Sequence, residues 1–168
     1  MTASPGTVTV HLLADLPDVI EPVGDLRWRE WGRPPEPVAR SWWIGMTRHE
    51  AGRAGLPVTW VAVDAHGQVA GAVGLGEYDI EERRGEPPWI MGMIVRSDLR
   101  GHGIGRRLLA RVEDYAAAAH PRVWVANEGP AVGFYQRCGY RVTETLRLAN
   151  GAQATVLVKP LAHASPLI

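Results

Sequence analysis

The stretch VRSDLRGHGIGRR, residues 95–107, joins an apolar run to a segment of helical periodicity. The apolar run, WIMGMIV at 89–95, is typical of a strand buried on both faces. Residues 105–119 place their apolar side chains on one stripe, which predicts a helix. A turn between a strand and a helix leaves backbone N–H groups without partners, and the helix dipole adds partial positive charge there. We therefore expect this turn to bind an anionic group such as a phosphate.

Charge and glycine content support a phosphate site in the same stretch. Residues 89–112 carry five Arg and one Asp, a local charge of +4 in a chain of zero net charge. Gly101, Gly103 and Gly105 let a ligand approach the backbone without meeting a Cβ. A solvated helix face would also explain the Arg residues, and an ordinary strand–helix turn would explain the glycines. The Walker loop and the dinucleotide-binding loop do not fit, because no Gly-Lys-Ser/Thr or G-x-G-x-x-G is present.

The remaining chain predicts a mixed α/β sheet flanked by helices, in one domain of residues 1–168 with a core of about 7–160. Pro22 interrupts the helical stretch before Trp31, which predicts a broken helix or two short ones. Apolar and β-branched runs predict strands at 7–13, 58–63, 69–78, 89–95, 123–126, 140–148 and 154–159, and further helices are predicted at 38–54, 105–119 and 130–137.

Composition excludes several protein classes. With 46% hydrophobic and 21% charged residues, the 168-residue chain has the balance of a soluble globular protein. Eighteen basic and eighteen acidic residues cancel, so no overall field favours nucleic acid or membranes. The single Cys138 excludes a disulfide framework and a multi-cysteine zinc site, and we expect no metal. No secretory signal or membrane-spanning run is recognisable, which predicts a cytoplasmic protein.

Two motifs resemble those of a known family. Residues 100–105, RGHGIG, are similar to the R/Q-x-x-G-x-G/A signature of the GNAT superfamily of N-acetyltransferases. Asn127-Glu128 and the run FYQRCGY at 134–140 resemble the superfamily's N…FYxxxGF segment. The element order over residues 7–159 is also similar, so the resemblance covers nearly the whole chain. It implies a central, mostly antiparallel sheet that splays at an acetyl-CoA site and is flanked by helices.

The resemblance implies acetyl-CoA as the cosubstrate, with its pyrophosphate on the N–H groups of residues 99–106. The pantetheine arm would pair with the end of strand 89–95, and Gly92 would form a bulge there, although a packing glycine is an equal alternative. Asn127 stands eight residues before Tyr135, one more than in the common pattern. The implied cofactor-binding residues are Met93, Ile94, Val95, Arg100, Gly101, His102, Gly103, Ile104, Gly105, Arg106 and Asn127.

Acetyl transfer to an amine requires a neutral amine, a donor to the oxyanion and a proton for the leaving thiolate. Tyr135 matches the family tyrosine that protonates the CoA thiolate, and the alternative is a core aromatic. The strand at 89–95 contains no acidic residue, where many family members carry one. The nearest acids, Glu77 and Asp79, would act through water or attract a cationic substrate. A solvated loop edge explains them equally well.

The expected acceptor is a cationic primary amine of a small molecule or peptide, attacked directly in a ternary complex. Residues 77–86 carry five acids and two Arg, which suits such an amine. Trp28 and Trp31 would line the acceptor pocket or pack in the core. The alternative function is a non-catalytic acyl-CoA-binding or regulatory module. A toxin acting on aminoacyl-tRNA would need a basic acceptor face, which 77–86 does not supply. Assembly as a homodimer stays open.

Overall fold

The computed structural model describes residues 6–34 and 36–162 and contains a seven-stranded sheet of order β1-β2-β3-β4-β5-β7-β6. Every neighbouring pair is antiparallel except β4 and β5. The strands are β1 (Thr9–Leu12), β2 (Val58–Val63), β3 (Val69–Gly76), β4 (Trp89–Val95), β5 (Arg122–Asn127), β6 (Arg141–Arg147) and β7 (Gln153–Pro160). The helices are α1 (Ile20–Trp31), α2 (Arg40–His49), α3 (Ile104–Ala117) and α4 (Val132–Arg137). The predicted fold class is confirmed.

The sheet is covered on both faces. Alternate side chains of a strand point to opposite faces, and β2 is buried along its whole length. Trp60 belongs to the apolar cluster that contains Leu108 of α3, whereas Val61 belongs to the cluster that contains Val23 of α1. The sheet therefore separates α1 from α3. No helix in the described part of the chain is long and apolar enough to cross a membrane.

The break predicted at Pro22 is wrong. Pro22 is the third residue of α1, which runs without interruption from Ile20 to Trp31. The first four N–H groups of a helix have no partner within the helix, so a proline at this position removes no hydrogen bond. Two 3₁₀ turns, Leu13–Asp15 and Pro17–Val19, precede the helix. The helix therefore begins closer to Pro22 than the sequence pattern predicts.

β4 leaves the regular sheet at Gly92. Met91 pairs with Gly74 of β3, and Ile94 pairs with Ala72. Between these two pairings β4 therefore has one residue more than β3. Gly92 has φ +54°, a left-handed conformation that favours glycine. This confirms the bulge predicted at Gly92. On its other side β4 pairs with β5 only where Trp89 faces Trp124, so the carboxyl ends of these parallel strands diverge.

Candidate active site

A cleft of about 1490 Å³ opens between the diverging strands and extends to α1, α2 and the segment after β3. It brings together nearly all of the residues predicted from the sequence. Two predicted residues do not line it: Trp28, and His102, whose exposed ring places Nδ1 3.2 Å from the Leu99 carbonyl oxygen. The predicted residues that line it are Trp31, Glu77, Asp79, Met93, Ile94, Val95, Arg100, Gly101, Gly103, Ile104, Gly105, Arg106, Asn127 and Tyr135.

The glycine turn presents open backbone to the cleft. Gly101 and Gly103 have φ values of +83° and +80°, and a Cβ added to either would meet no atom within 4 Å. Gly103 is also the N-cap of α3, where backbone N–H groups lack helical partners. Gly105 differs, because a Cβ there would lie 3.3 Å from Phe134 Cζ and would separate α3 from α4. The open space in front of α3 fits a phosphate group.

The Arg residues of this region make different contacts. Arg100 Nε donates to the Val95 carbonyl oxygen at 3.1 Å, and its Nη2 lies 3.4 Å from a Glu30 carboxylate oxygen. Arg107 donates at 2.6 Å to a backbone carbonyl near the N-terminus, and this side chain does not line the cleft. Arg106 is exposed on the cleft wall. Arg100 and Arg107 therefore bond to groups within the fold, and Arg106 is the side chain best placed to contact an anion.

Tyr135 lies in α4 with 3% of its surface exposed, and its ring packs edge-on against Phe134 and Tyr140. The same residue also lines the cleft, so Tyr135 can contact a ligand although its ring is packed against neighbouring aromatic rings. Burial raises the pKa of the Tyr135 hydroxyl, and the nearby Asp79 carboxylate raises it further. The phenol consequently keeps its proton throughout the physiological pH range.

Asp79 follows β3 and belongs to a group of acids that converge on the cleft. Asp79 is an exposed residue, but its carboxyl group lies in the concave wall of the cleft, where the surrounding protein atoms partly bury it. This burial, together with repulsion from Glu50, Glu128 and Glu36, raises the pKa of Asp79 to about 7. Burial also raises the pKa of Glu128. We call Glu36, Glu50, Asp79 and Glu128 the acidic wall.

The acidic segment 77–86 is partly neutralised within the fold. Arg83 holds Glu144 through two hydrogen bonds of 2.6 Å, and Arg84 pairs with Glu81. Within the described residues, Glu77 and Asp79 make no side-chain hydrogen bond or ion pair. Glu86 is likewise unpaired but does not line the cleft, so Glu77 and Asp79 are the unpaired carboxylates of the segment that a ligand in the cleft can contact.

Three tryptophans form a second surface of the cleft, which we call the aromatic wall (Trp31, Trp42 and Trp43). The Trp43 ring centroid lies 6.0 Å from that of Trp31 and 5.1 Å from that of Trp42. Trp42 is 42% exposed, a large value for this residue type. Trp28, in contrast, lies outside the cleft and donates its indole N–H to the Val38 carbonyl oxygen.

Sequence reasoning missed Arg27, Glu36, Glu50 and Glu128. Arg27 continues the buried stripe of α1 formed by Ile20 and Val23, and a charged residue at such a position is the signal that could have identified it. The three glutamates come from segments that are distant in the sequence, so no local pattern marks their convergence. Within residues 6–34 and 36–162, no cluster of three His, Cys, Asp or Glu side chains is arranged to hold a metal ion.

Several solved structures share this fold. Arabidopsis thaliana NAA60 in complex with a bisubstrate analogue is 18% identical, with a TM-score of 0.68 over 94% of this chain and 100% of that one. A chimera of the spermidine N-acetyltransferase SpeG from Vibrio cholerae and hSSAT is 15% identical, with a TM-score of 0.67 over 91% and 95%. Nourseothricin acetyltransferase is 22% identical, with a TM-score of 0.54, and the match covers 63% of this chain and 66% of that one.

A family comparison of the sequence agrees with the fold. No curated protein matches the chain. The family model described as an acetyltransferase (GNAT) domain matches residues 56–142. This range runs from the start of β2 to the start of β6 and includes the splayed strands, the glycine turn and α4. Because the match spans more than half of the chain and the fold agrees, the protein belongs to the GNAT acetyltransferase family.

Proposed function

We propose that the protein is a single-domain, acetyl-CoA-dependent N-acetyltransferase that acetylates a primary amine of a cationic small molecule or peptide. The observation that carries this proposal is that one cleft joins the open glycine turn to Asp79 and Tyr135. The pKa of Asp79 is raised to about 7, so this carboxylate can accept a proton near neutral pH, and Tyr135 keeps the hydroxyl proton that it would donate.

Two parts of the cleft would contact acetyl-CoA, which would supply the acetyl group as a thioester. Backbone N–H groups of Gly103 and the first turn of α3 would hold the pyrophosphate, with Arg106 beside it. Beyond Trp89, β4 has no ladder partner on the β5 side, so an extended pantetheine arm can pair with its free backbone groups. Ile94 is paired with Ala72 in the β3 ladder, and the Val95 carbonyl is already bonded to Arg100. Backbone groups of Met93 and the Val95 N–H therefore remain for this role.

Proton movements follow from the two titratable groups. Asp79 accepts the proton that the acceptor ammonium must lose before its nitrogen can attack. Backbone N–H groups at the β4 bulge stabilise the negative charge that develops on the thioester oxygen. Tyr135 gives its hydroxyl proton to the CoA sulfur as the C–S bond breaks. The phenolate then regains a proton from the nitrogen that has been acylated, and Asp79 releases its proton to solvent, so both groups return to their starting states and one proton is produced per acetyl transfer.

The acceptor class follows from the acidic and aromatic walls. Carboxylates attract an ammonium group, and tryptophan faces favour cations and apolar bodies. Together they suit an amine with a second positive charge, such as a polyamine, an aminoglycoside or a basic peptide. One neighbour of the same fold is a spermidine N-acetyltransferase, which agrees with this class of acceptor.

The test is acetylation of paired amines. The protein is incubated with acetyl-CoA and either an alkyl diamine or the monoamine of equal length, and acetylated product is quantified by mass spectrometry. We expect kcat/KM to be about tenfold higher for the diamine, which corresponds to about 1.4 kcal/mol from one charge interaction. Equal use of both amines would contradict the cationic preference. Binding of acetyl-CoA without product from any amine would favour the acyl-CoA-binding module.

A further inference from the structure

Arg27 is a buried cation at the point where three elements meet. It is 2% exposed and lies on α1. Its Nε donates to the Gly92 carbonyl oxygen in the β4 bulge at 3.2 Å. Its Nη1 donates to Thr47 Oγ1 of α2 at 3.2 Å and to Glu50 Oε2 at 3.0 Å. One guanidinium thus joins α1, α2 and the bulged part of β4.

The absence of a side chain at Gly92 leaves the space that the Arg27 guanidinium occupies. A Cβ added to Gly92 would lie 2.7 Å from Arg27 Cζ and from Nη2, closer than real side chains approach. Gly92 also needs its positive φ, so glycine serves both the backbone shape and the space for Arg27. A larger residue at position 92 would therefore disturb both the bulge and the Arg27 contact.

Stability alone does not explain this arrangement. Nη2 of Arg27 is buried without a hydrogen-bond partner among the described residues. An unpaired buried donor is unfavourable, and a buried ion pair is often no more stable than an apolar replacement of similar volume. Arg27 also lines the cleft, beside the β4 backbone that the proposed reaction uses.

We propose that Arg27 is a positioning residue for acetyl transfer, because it holds the Gly92 bulge in the shape that turns the β4 backbone toward the cleft. The role rests on the proposed function, since it concerns the placement of the thioester. Through Thr47 and Glu50 the same side chain connects this shape to α2, which carries Trp42 and Trp43 of the aromatic wall. Arg27 itself does not touch the reacting atoms in this account.

The main test compares Arg27→Lys with Val23→Ala. Lysine keeps the charge but lacks the planar fork that reaches Gly92, Thr47 and Glu50 together. Val23 is a fully buried residue of the same helix, so its truncation lowers stability and leaves every Arg27 partner in place. Both variants are assayed as full chains well below their melting temperatures, with acetyl-CoA and diamine saturating, and CoA affinity is measured by calorimetry.

For Arg27→Lys we expect kcat to fall about ten- to a hundredfold, since small misplacements of reacting groups have effects of this size. CoA affinity should stay within about threefold of the parent, because the glycine turn is untouched. Val23→Ala should lower the melting temperature and leave kcat within about twofold. A parental kcat in Arg27→Lys would overturn the role, as would parallel losses of kcat and CoA affinity.

A second pair of variants applies if Arg27→Lys does not fold. Thr47→Val removes the hydroxyl that accepts from Arg27, and Thr47→Ser retains it. We expect Thr47→Val to lower kcat by about threefold or more and Thr47→Ser to restore it, with CoA affinity unchanged in both. Equal kcat values in the two would overturn the role. Absence of acetyl transfer by the parent protein would instead overturn the proposed function, and this outcome is distinct from transfer that is insensitive to Arg27 and Thr47.

Discussion

Trp89 of β4 faces Trp124 of β5, and the two indole rings stack with centroids 5.7 Å apart and planes inclined by 19°. Trp124 also donates its backbone N–H to the Pro88 carbonyl oxygen at 3.1 Å. These contacts hold the two strands together at their amino ends. Beyond them the strands diverge, and the cleft begins there. The position of the cleft is therefore determined by where strand pairing stops.

Acetyl-CoA should stabilise the fold through the glycine turn. At a concentration one hundredfold above its dissociation constant, the ligand should raise the free energy of unfolding by about 2.7 kcal/mol. Gly103→Val should abolish this gain, because a branched side chain at φ +80° strains the turn and occupies the open space before α3. Thermal melts with and without acetyl-CoA measure both effects.

The control for this substitution is Gly67→Val. Gly67 lies in the β2–β3 turn with φ +75° and open space around it, and it does not line the cleft. It should suffer similar backbone strain and keep the full stabilisation by acetyl-CoA. Loss of the stabilisation in both variants would mean that strain, and not the occupied phosphate approach, explains the result.

Glu77→Gln and Asp79→Asn, made separately, should weaken acceptor use more than CoA binding. Each removes one of the two unpaired carboxylates of this segment that line the cleft, so KM for a diamine should rise by severalfold, about 1 kcal/mol. Asp79→Asn should also lower kcat, because it removes the proposed base. Steady-state kinetics with each substrate varied separate the two effects. If neither substitution changes acceptor use, these acids are ordinary surface groups.

The rate should depend on pH through Asp79. Its pKa of about 7 means that the carboxylate, which is the form able to accept a proton, accumulates only as pH rises through 7. We therefore expect kcat/KM to increase between about pH 6 and pH 8, with a limb near 7 that Asp79→Asn lacks. An unchanged limb in Asp79→Asn would assign it to another group, such as the acceptor amine.

The same group should affect stability with a defined sign. The folded state raises the pKa of Asp79 above its ordinary value of 3.8, so between that value and about 7 the folded state binds more protons than the unfolded state. The contribution of Asp79 to stability is thus full below pH 3.8 and declines as pH rises through 7. In denaturant melts, the free energy of unfolding of Asp79→Asn should increase relative to that of the parent protein as pH rises over this range.

Tyr135→Phe separates a catalytic from a packing role. The substitution keeps the ring that contacts Phe134 and Tyr140 and removes the hydroxyl proton. If Tyr135 protonates the thiolate, kcat should fall by about 10²–10⁴-fold with acetyl-CoA affinity little changed. Single-turnover kinetics and calorimetry measure these quantities. A parental rate with a lowered melting temperature would assign Tyr135 to packing alone.

The strands and the glycine turn were predictable because their signals are local. Period, β-branching and glycine spacing mark β2, β4 and the turn before α3 within a few residues. Pro22 was misread because its effect depends on where α1 begins, which the 3₁₀ turns before it determine. Arg27 and Glu50 were missed because their role depends on contacts between α1, the end of α2 and the bulge. Burial of a charge depends on partners that no sequence window contains.

The proposed reaction of this cleft is transfer of an acetyl group from acetyl-CoA to an amine. The most direct measurement is the simultaneous quantification of free CoA and acetylated diamine by mass spectrometry in one reaction of the parent protein. We expect both products to accumulate in equal amounts, and we expect Tyr135→Phe to slow the formation of both. Release of CoA without acetylated amine, or acetyl-CoA binding with neither product, would contradict it.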